Sequence, residues 1–391
     1  MKKILAVLLC ICLYIQPLTV RAEEKAGEEG GLELSARTAL IMEASTGNVL
    51  YEKDADTPLP PASVTKVMTL LLIFEALEAG ELSLEEEVTT SEYAASMGGS
   101  QVFLEAGEAQ TVDTLIKCIA VASANDACVT MAERISGSED AFVQAMNEKA
   151  KQLGMAQTHF VNCNGLDAEG HVTSARDIAL MSRELITRFP QIRDYTTIWM
   201  DTITHATSRG TSEFGLSNTN RLLRQYEYAT GLKTGSTSEA GFCLAATAEK
   251  EGIEMIAVVM AEPDAKTRVK EAIAMLNYGF SQCSIYRDDQ VLEEPVEAEV
   301  EGGVEETVSL EAPESFSFVD TAQSDLGLVE KEVRLETGKA PVEKGAVLGE
   351  VVYTLNGAEL GRVSLTADAS VEPLDFPAAL LQVLEQFFLP Q

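Results

Sequence analysis

Three short patterns could do chemistry together, and each occurs once: Ser63-Val64-Thr65-Lys66, Ser123-Ala124-Asn125 and Lys233-Thr234-Gly235. A serine hydroxyl attacks a carbonyl only when its proton is taken. Lys66 can take it as a neutral amine, a form disfavoured for a free lysine with its pKa of about 10.4. Burial and a second nearby cation, Lys233, both favour that neutral form. No histidine lies near these motifs in the chain, which leaves lysine as the local base. Ser123 can relay a proton to a leaving amine, and Asn125 can hold a substrate amide in place. Lys233 and Thr234 suit an anion, most simply a C-terminal carboxylate. Gly235 lets a strand and a substrate approach closely. The backbone N–H groups of Ser63 and Ser236 could form an oxyanion hole. Taken singly, each pattern has a plainer explanation: a helix-capping serine before a solvated lysine, a turn serine, a capping asparagine, a strand-edge lysine. Three together, in this order and each in a suitable local context, make coincidence the weaker explanation.

The elements around these residues must bring them to one place. Pro60 and Pro61 precede an apolar run, Val67 to Leu77, that reads as a helix over 61–79, with Ser63 and Lys66 one turn apart at its positive end. Further helical segments are expected at 111–121, 125–135, 138–153, 174–188 and 266–281. Residues 35–53 read as a hairpin turning at Ser45-Thr46-Gly47-Asn48, and 241–263 as two apolar strands around Glu249-Lys250-Glu251-Gly252. Lys233-Thr234-Gly235 is expected just before that strand pair. A hairpin, then helices, then strands and a closing helix predict an α+β fold, an antiparallel sheet flanked by helices.

The chain has 391 residues, enough for two domains. It opens with Lys2 and Lys3, an apolar stretch from Ile4 to Ile15, and Val20-Arg21-Ala22, the pattern of a secretory signal peptide over 1–22. The formal net charge is −33, which argues against nucleic acid and against simple attraction to an anionic membrane. Beyond the signal, Cys118, Cys128, Cys163, Cys243 and Cys283 are odd in number and lack a CxxC pair, so neither a disulfide framework nor a zinc site is expected. Three scattered histidines suggest no metal cluster, and nothing calls for a cofactor.

Composition shifts near 284. From there to about 369 the chain is acidic and strand-like, with a hairpin signal at Asn356-Gly357, and reads as a small all-β domain. The segment 372–389 is amphipathic, with Phe376, Leu380, Leu384, Phe387 and Phe388 near one stripe. It admits two readings, peripheral contact with a membrane or docking on protein. It has no lysine or arginine to favour the first.

At "LPPASVTKVMT", "ASANDA", "THFVNCNGLDAEGHVTSARDIALMSREL", "SNTNRLLRQYEYATGLKTGSTSEAGFCLAATA" and "AKTRVKEAIAMLNYGF" the chain resembles the serine-type D-alanyl-D-alanine carboxypeptidases, the low-molecular-mass penicillin-binding proteins. The resemblance covers 32–283 well and 284–391 more loosely. It implies a penicillin-binding, β-lactamase-like transpeptidase fold. It implies removal of the terminal D-alanine from peptidoglycan pentapeptide stems through an acyl-serine, with β-lactams as covalent inhibitors, in an extracytoplasmic protein. Carried over by position, Ser63 is the nucleophile, Lys66 its base, and Ser123 with Asn125 the second motif. Lys233, Thr234 and Gly235 are the third, and Arg268 helps bind the substrate carboxylate. The family's tail is usually basic on its polar face, and this one is acidic. Cys163 stands where proline is more usual.

Other readings share the motifs: a β-lactamase, a DD-endopeptidase acting on cross-links, or a β-lactam or peptidoglycan sensor that acylates without useful turnover. A class A β-lactamase adds a glutamate that activates the deacylating water, and no clear counterpart is found. A sensor needs a transmembrane signalling segment, and none follows the signal peptide.

Overall fold

The structure is a computed structural model that describes residues 32–377 and 379–380. The signal segment 1–22 and the tail beyond 380 lie outside the described residues. Of the tail, residues 376, 377, 379 and 380 are helical.

Five antiparallel strands form the central sheet, in the order Val49–Lys53, Thr38–Glu43, Ile253–Glu262, Gly241–Lys250, Ala229–Thr237. The expected first hairpin and the two apolar strands are all present. The long apolar run in Ile253–Glu262 reflects burial on both faces. Leu40, Met42, Ile256, Val258 and Met260 join the main core, whereas Ile41 and Met255 crowd Gly279 of the closing helix Ala265–Gln282. The helix Ala175–Arg188 also packs on this sheet.

The other expected helices form at Lys66–Glu78, Val112–Val121, Asn125–Ser136 and Glu139–Gln152, within two residues of their sequence bounds once the 3-10 turn Ala62–Thr65 is joined to the first. Their starts are chemically marked. Thr111, Ser138 and Ser174 each accept a backbone N–H from the first turn of the helix that follows. Four of the five cysteines named above are buried.

Lys233-Thr234-Gly235 precedes the strand pair as expected and lies within a strand of its own, Ala229–Thr237, at the edge of the sheet. A hairpin not foreseen, Met200–Thr207 with Gly210–Ser217, stands beside the motifs.

From Ser284 to Ala367 the chain is built of strands, apart from the 3-10 turn Leu326–Leu328. A six-stranded sheet and a two-stranded one enclose a separate core in which Phe316 stacks on Tyr353 at 3.8 Å between ring centres. Asn356 (φ 51°) and Gly357 (φ 80°) make the predicted turn.

Candidate active site

The three motifs converge on one cleft of about 540 Å³, which Ser63, Ser123, Thr234, Gly235, Ser236 and Arg268 help to line. Ser63 stands in the 3-10 turn that leads into the helix opening at Lys66. Neither the turn nor the helix has a side-chain cap, so Ser63 is not a capping serine.

Lys66 lies beneath it with no exposed surface. Its Nζ is 3.1 Å from Ser63 Oγ, 2.7 Å from Asn125 Oδ1 and 2.5 Å from the carbonyl of Asn164. Burial pushes its pKa below the ordinary lysine range. As an ammonium it donates to all three oxygens. As a neutral amine it donates to Asn125 and Asn164 and leaves its lone pair facing the Ser63 hydroxyl. That is the geometry of a general base.

A second serine–lysine pair faces the first. Lys233 Nζ donates to Ser123 Oγ at 2.9 Å and to the Thr234 carbonyl at 3.1 Å. Burial, then the charge of Lys66, holds Lys233 well below the usual lysine pKa. Lys233 is 1 % exposed and does not line the cleft, so it reaches an incoming ligand through Ser123 and Thr234 and not directly. Thr234 Oγ1 shares a hydrogen bond with Thr219 Oγ1 at 2.7 Å.

Asn125 was expected on the substrate. Here both ends of its amide meet protein: Oδ1 accepts from Lys66, and Nδ2 donates to the Gly98 carbonyl at 2.7 Å. Arg268 is buried at the cleft's edge, its Nη1 donating to the carbonyls of Gly235 and Cys243 at 3.1 and 3.2 Å.

The backbone is shaped around the two serines. Ala62 (φ 49°) and Ser123 (φ 62°) hold the left-handed conformation that non-glycine residues avoid, a strain that concentrates at working sites. Two glycines clamp the nucleophile's turn. A Cβ on Gly235 would fall 2.8 Å from the Pro61 carbonyl oxygen, and one on Gly165 1.9 Å from that of Ala62. The close approach that requires Gly235 is therefore to the Ser63 turn itself.

Sequence reasoning missed several supports. His171 is remote from Thr65 in the chain, yet its Nε2 sits 2.8 Å from Thr65 Oγ1. Its Nδ1 accepts the Val161 N–H, which leaves Nε2 to donate to Thr65, and Thr65 in turn donates to the Ala62 carbonyl at 2.8 Å. A histidine is thus close to the motifs after all. Both ring nitrogens are occupied, and burial lowers its pKa to about 4, so it braces the turn and is no competing base. Asp126 accepts the N–H groups of Val102 and Leu104 and fixes the loop that carries Ser100 into the cleft. The Cys163 N–H donates to Glu139 Oε1 at 3.0 Å, a bond that proline could not make.

A serine set against a buried lysine, with a second serine–lysine pair across a shared cleft on an α+β scaffold, defines an active-site-serine acyl-transfer protein. The sequence profile of the D-alanyl-D-alanine carboxypeptidases matches residues 22–264, and that of the penicillin-binding protein 5 C-terminal domain matches 280–373. The chain belongs to the D-alanyl-D-alanine carboxypeptidase family, peptidase family S11. It is 39% identical to the D-alanyl-D-alanine carboxypeptidase DacF of Bacillus subtilis, over 96% of each chain. Identity to DacC of Escherichia coli is 31%, over 92% of this chain and 90% of that one. Among solved structures, PBP3 of Streptococcus pneumoniae, a peptidoglycan synthesis regulatory factor, aligns with a TM-score of 0.70 at 28% identity, covering 87% of this chain and 100% of that one. Penicillin-binding protein 5 of Haemophilus influenzae aligns at 0.62 and 29%, covering 87% and 98%.

Proposed function

We propose that this protein removes the terminal D-alanine from peptidoglycan stem peptides, with Ser63 as nucleophile and Lys66 as its base. The observation that carries the assignment is the 3.1 Å contact between Lys66 Nζ and Ser63 Oγ, with the amine wholly buried. In the first step the Ser63 proton passes to neutral Lys66 as Oγ bonds to the penultimate D-alanine carbonyl carbon. The resulting oxyanion meets the N–H groups of Ser63 and Ser236. The C–N bond then breaks, and the departing D-alanine amine takes a proton through Ser123 from the adjoining lysines. Water hydrolyses the acyl-serine, which returns Ser63 and releases the shortened peptide. Asn125 and Asn164 hold Lys66 on line. Gly235, Thr234 and the rest of the edge strand offer the substrate backbone a strand to lie against. Arg268 shapes that strand through the Gly235 carbonyl and flanks the substrate carboxylate.

β-Lactams acylate the same serine in this reading. No Asp or Glu is among the described residues lining the cleft, so no carboxylate is in place there to speed hydrolysis of such an adduct. This favours the carboxypeptidase over the β-lactamase. The basic and apolar opening pattern of residues 1–22 supports export with cleavage after Ala22, and the separate core of the later strands supports a division into a catalytic unit at 32–283 and a β domain at 284–369. Among the described residues no helix is long and apolar enough to cross a membrane. Phe376 and Leu380 are exposed, which supports a peripheral contact for the segment 372–389.

The test is intact-mass spectrometry of the protein mixed with penicillin, and in parallel with a pentapeptide ending in D-Ala-D-Ala. A stable adduct that Ser63→Ala abolishes, with loss of one D-alanine from the peptide, is the expected result. Absence of both adduct and D-alanine release overturns the assignment, and an adduct that hydrolyses within seconds points to the β-lactamase.

A further inference from the structure

We propose that Arg221 is the specificity-determining residue that selects a free terminal carboxylate on the substrate, an assignment that rests on the carboxypeptidase reading above. Fourteen residues line the cleft, and only Arg221 and Arg268 among them carry charge. The chain holds 62 Asp and Glu against 29 Lys and Arg. A cleft wall with two cations and no carboxylate is therefore a local reversal of the protein's field, and an acidic chain needs one to draw in an anionic peptide end.

The cations near the cleft are not equally free. Lys66 and Lys233 are buried, and their protons are committed to Ser63, Asn125, Asn164, Ser123 and Thr234. Arg268 is only 6 % exposed, spends Nη1 on two carbonyls, and lies over the Phe242 ring at 5.7 Å. Arg221 is exposed, and its guanidinium makes no hydrogen bond or ion pair with any described residue. Seven of the twelve other arginines among the described residues have found an acid: Arg134, Arg176, Arg188, Arg193, Arg209, Arg334 and Arg362 all sit in salt bridges. An arginine left single in so acidic a protein, and facing the substrate cleft, is reserved for a ligand.

Its position is built. Arg221 opens the 3-10 turn Arg221–Arg224, which Leu222 anchors with no exposed surface. Asn220 ties that turn to the edge strand by donating from Nδ2 to the Gly231 carbonyl at 3.0 Å. One residue before Asn220, Thr219 bonds Thr234 through their hydroxyls. Arg221 and Arg268 are near enough for each charge to be felt by the other. A carboxylate between them relieves that repulsion and can accept a hydrogen bond from the hydroxyl of Thr234 or Thr219 at the same time. Arg221 thus binds the anion, and Arg268 principally holds the strand.

The test compares a pentapeptide ending in a D-Ala-D-Ala free acid with its C-terminal amide. Ser63→Ala removes the chemistry, and calorimetry of the full chain then reports binding alone. Trp199, the only tryptophan and a cleft residue, gives a second readout by fluorescence. The acid is expected to bind about tenfold or more tighter than the amide, as for a charge-assisted pair. Adding Arg221→Gln should bring the two within about twofold, while Arg221→Lys keeps part of the preference. In active enzyme the same change raises KM for the acid with kcat largely kept. An acid-to-amide ratio unchanged by Arg221→Gln overturns the assignment, provided the unaltered enzyme still releases D-alanine. Failure of the unaltered enzyme to release D-alanine or to be acylated overturns the carboxypeptidase reading instead.

Discussion

Gly235 lies so close under Ser63 that a Cβ on it would fall 2.9 Å from the Ser63 amide nitrogen. The third motif therefore sets the position of the first through backbone contact. Pro61 O at 2.8 Å and Val64 N at 3.0 Å would be crowded as well, and none of these atoms belongs to a side chain that could swing away. Gly235→Ala must push the edge strand off the nucleophile's turn. Overpacking of this kind costs about 1–3 kcal/mol, and a displacement near 1 Å at reacting groups can cost about 100-fold in rate. Thermal unfolding and the rate of penicillin acylation by intact mass check the two effects. Acylation at the unaltered rate would refute the account.

Lys66 predicts a pH profile. The amine acts only when neutral, so acylation should rise with pH and level off above the Lys66 pKa. Burial puts that inflection below the ordinary lysine range. The same depression makes stability increase with pH over that interval, since the unfolded chain there binds a proton that the folded chain does not. Lys66→Arg keeps the charge and cannot supply a lone pair, so acylation should fall by about 10²–10⁴-fold. Stopped-flow acylation across pH, with and without the substitution, measures both.

Much of this site was legible because its signals are local. Ser63 and Lys66 share one turn, and the apolar run from Val67 to Leu77 could only be a buried helix. Asn356-Gly357 announced its hairpin by turn chemistry alone. The strand Ala229–Thr237 went unnamed for a physical reason. Its buried positions include Lys233 and Thr234, polar residues turned inward for chemistry, and they break the alternation that marks a strand. The hairpin Met200–Ser217 was invisible because most of its residues are exposed and few are apolar. His171 could not be tied to Thr65 at all, since 106 residues separate them and a lone histidine carries no spacing signal. Arg268 was placed from resemblance, and only the folded chain shows its Nη1 already occupied.

Asp126 predicts coupling between a buried carboxylate and the cleft's rim. Its oxygens accept the N–H groups of Val102 and Leu104, each at 3.1 Å at closest, and of Ala127 at 3.0 Å. Between the first two, Phe103 is held at φ 64°, 61 % exposed as a residue, with its ring edge-on to Phe214 of the hairpin. Asp126→Ala leaves buried amides unpaired, at about 1–3 kcal/mol for each. The loop with Ser100 should then relax and KM should rise. Denaturant unfolding gives the stability change, and steady-state kinetics should show a larger change in KM than in kcat. Unchanged stability would show that the loop is held by something other than this carboxylate.

His171 predicts an acid sensitivity of the nucleophile's turn. It is 3 % exposed, and its folded pKa is pushed down to about 4 by burial, aided by the charge of His159. The unfolded ring titrates near its ordinary value of about 6.5. Between these values the unfolded chain takes a proton that the folded chain refuses, so stability falls as pH drops from about 6.5 toward 4. The full difference corresponds to about 3 kcal/mol. His171→Gln removes this titration and should flatten the stability profile over that interval. It also disturbs the chain from His171 through Thr65 to the Ala62 carbonyl, at about 1–2 kcal/mol near neutral pH. Because Ala62 precedes the nucleophile, kcat should fall by about tenfold while Ser63 remains acylable. Urea unfolding of both proteins at pH 7 and pH 4.5 separates the two effects. If the variant and the parent lose equal stability on acidification, the titrating group is not His171.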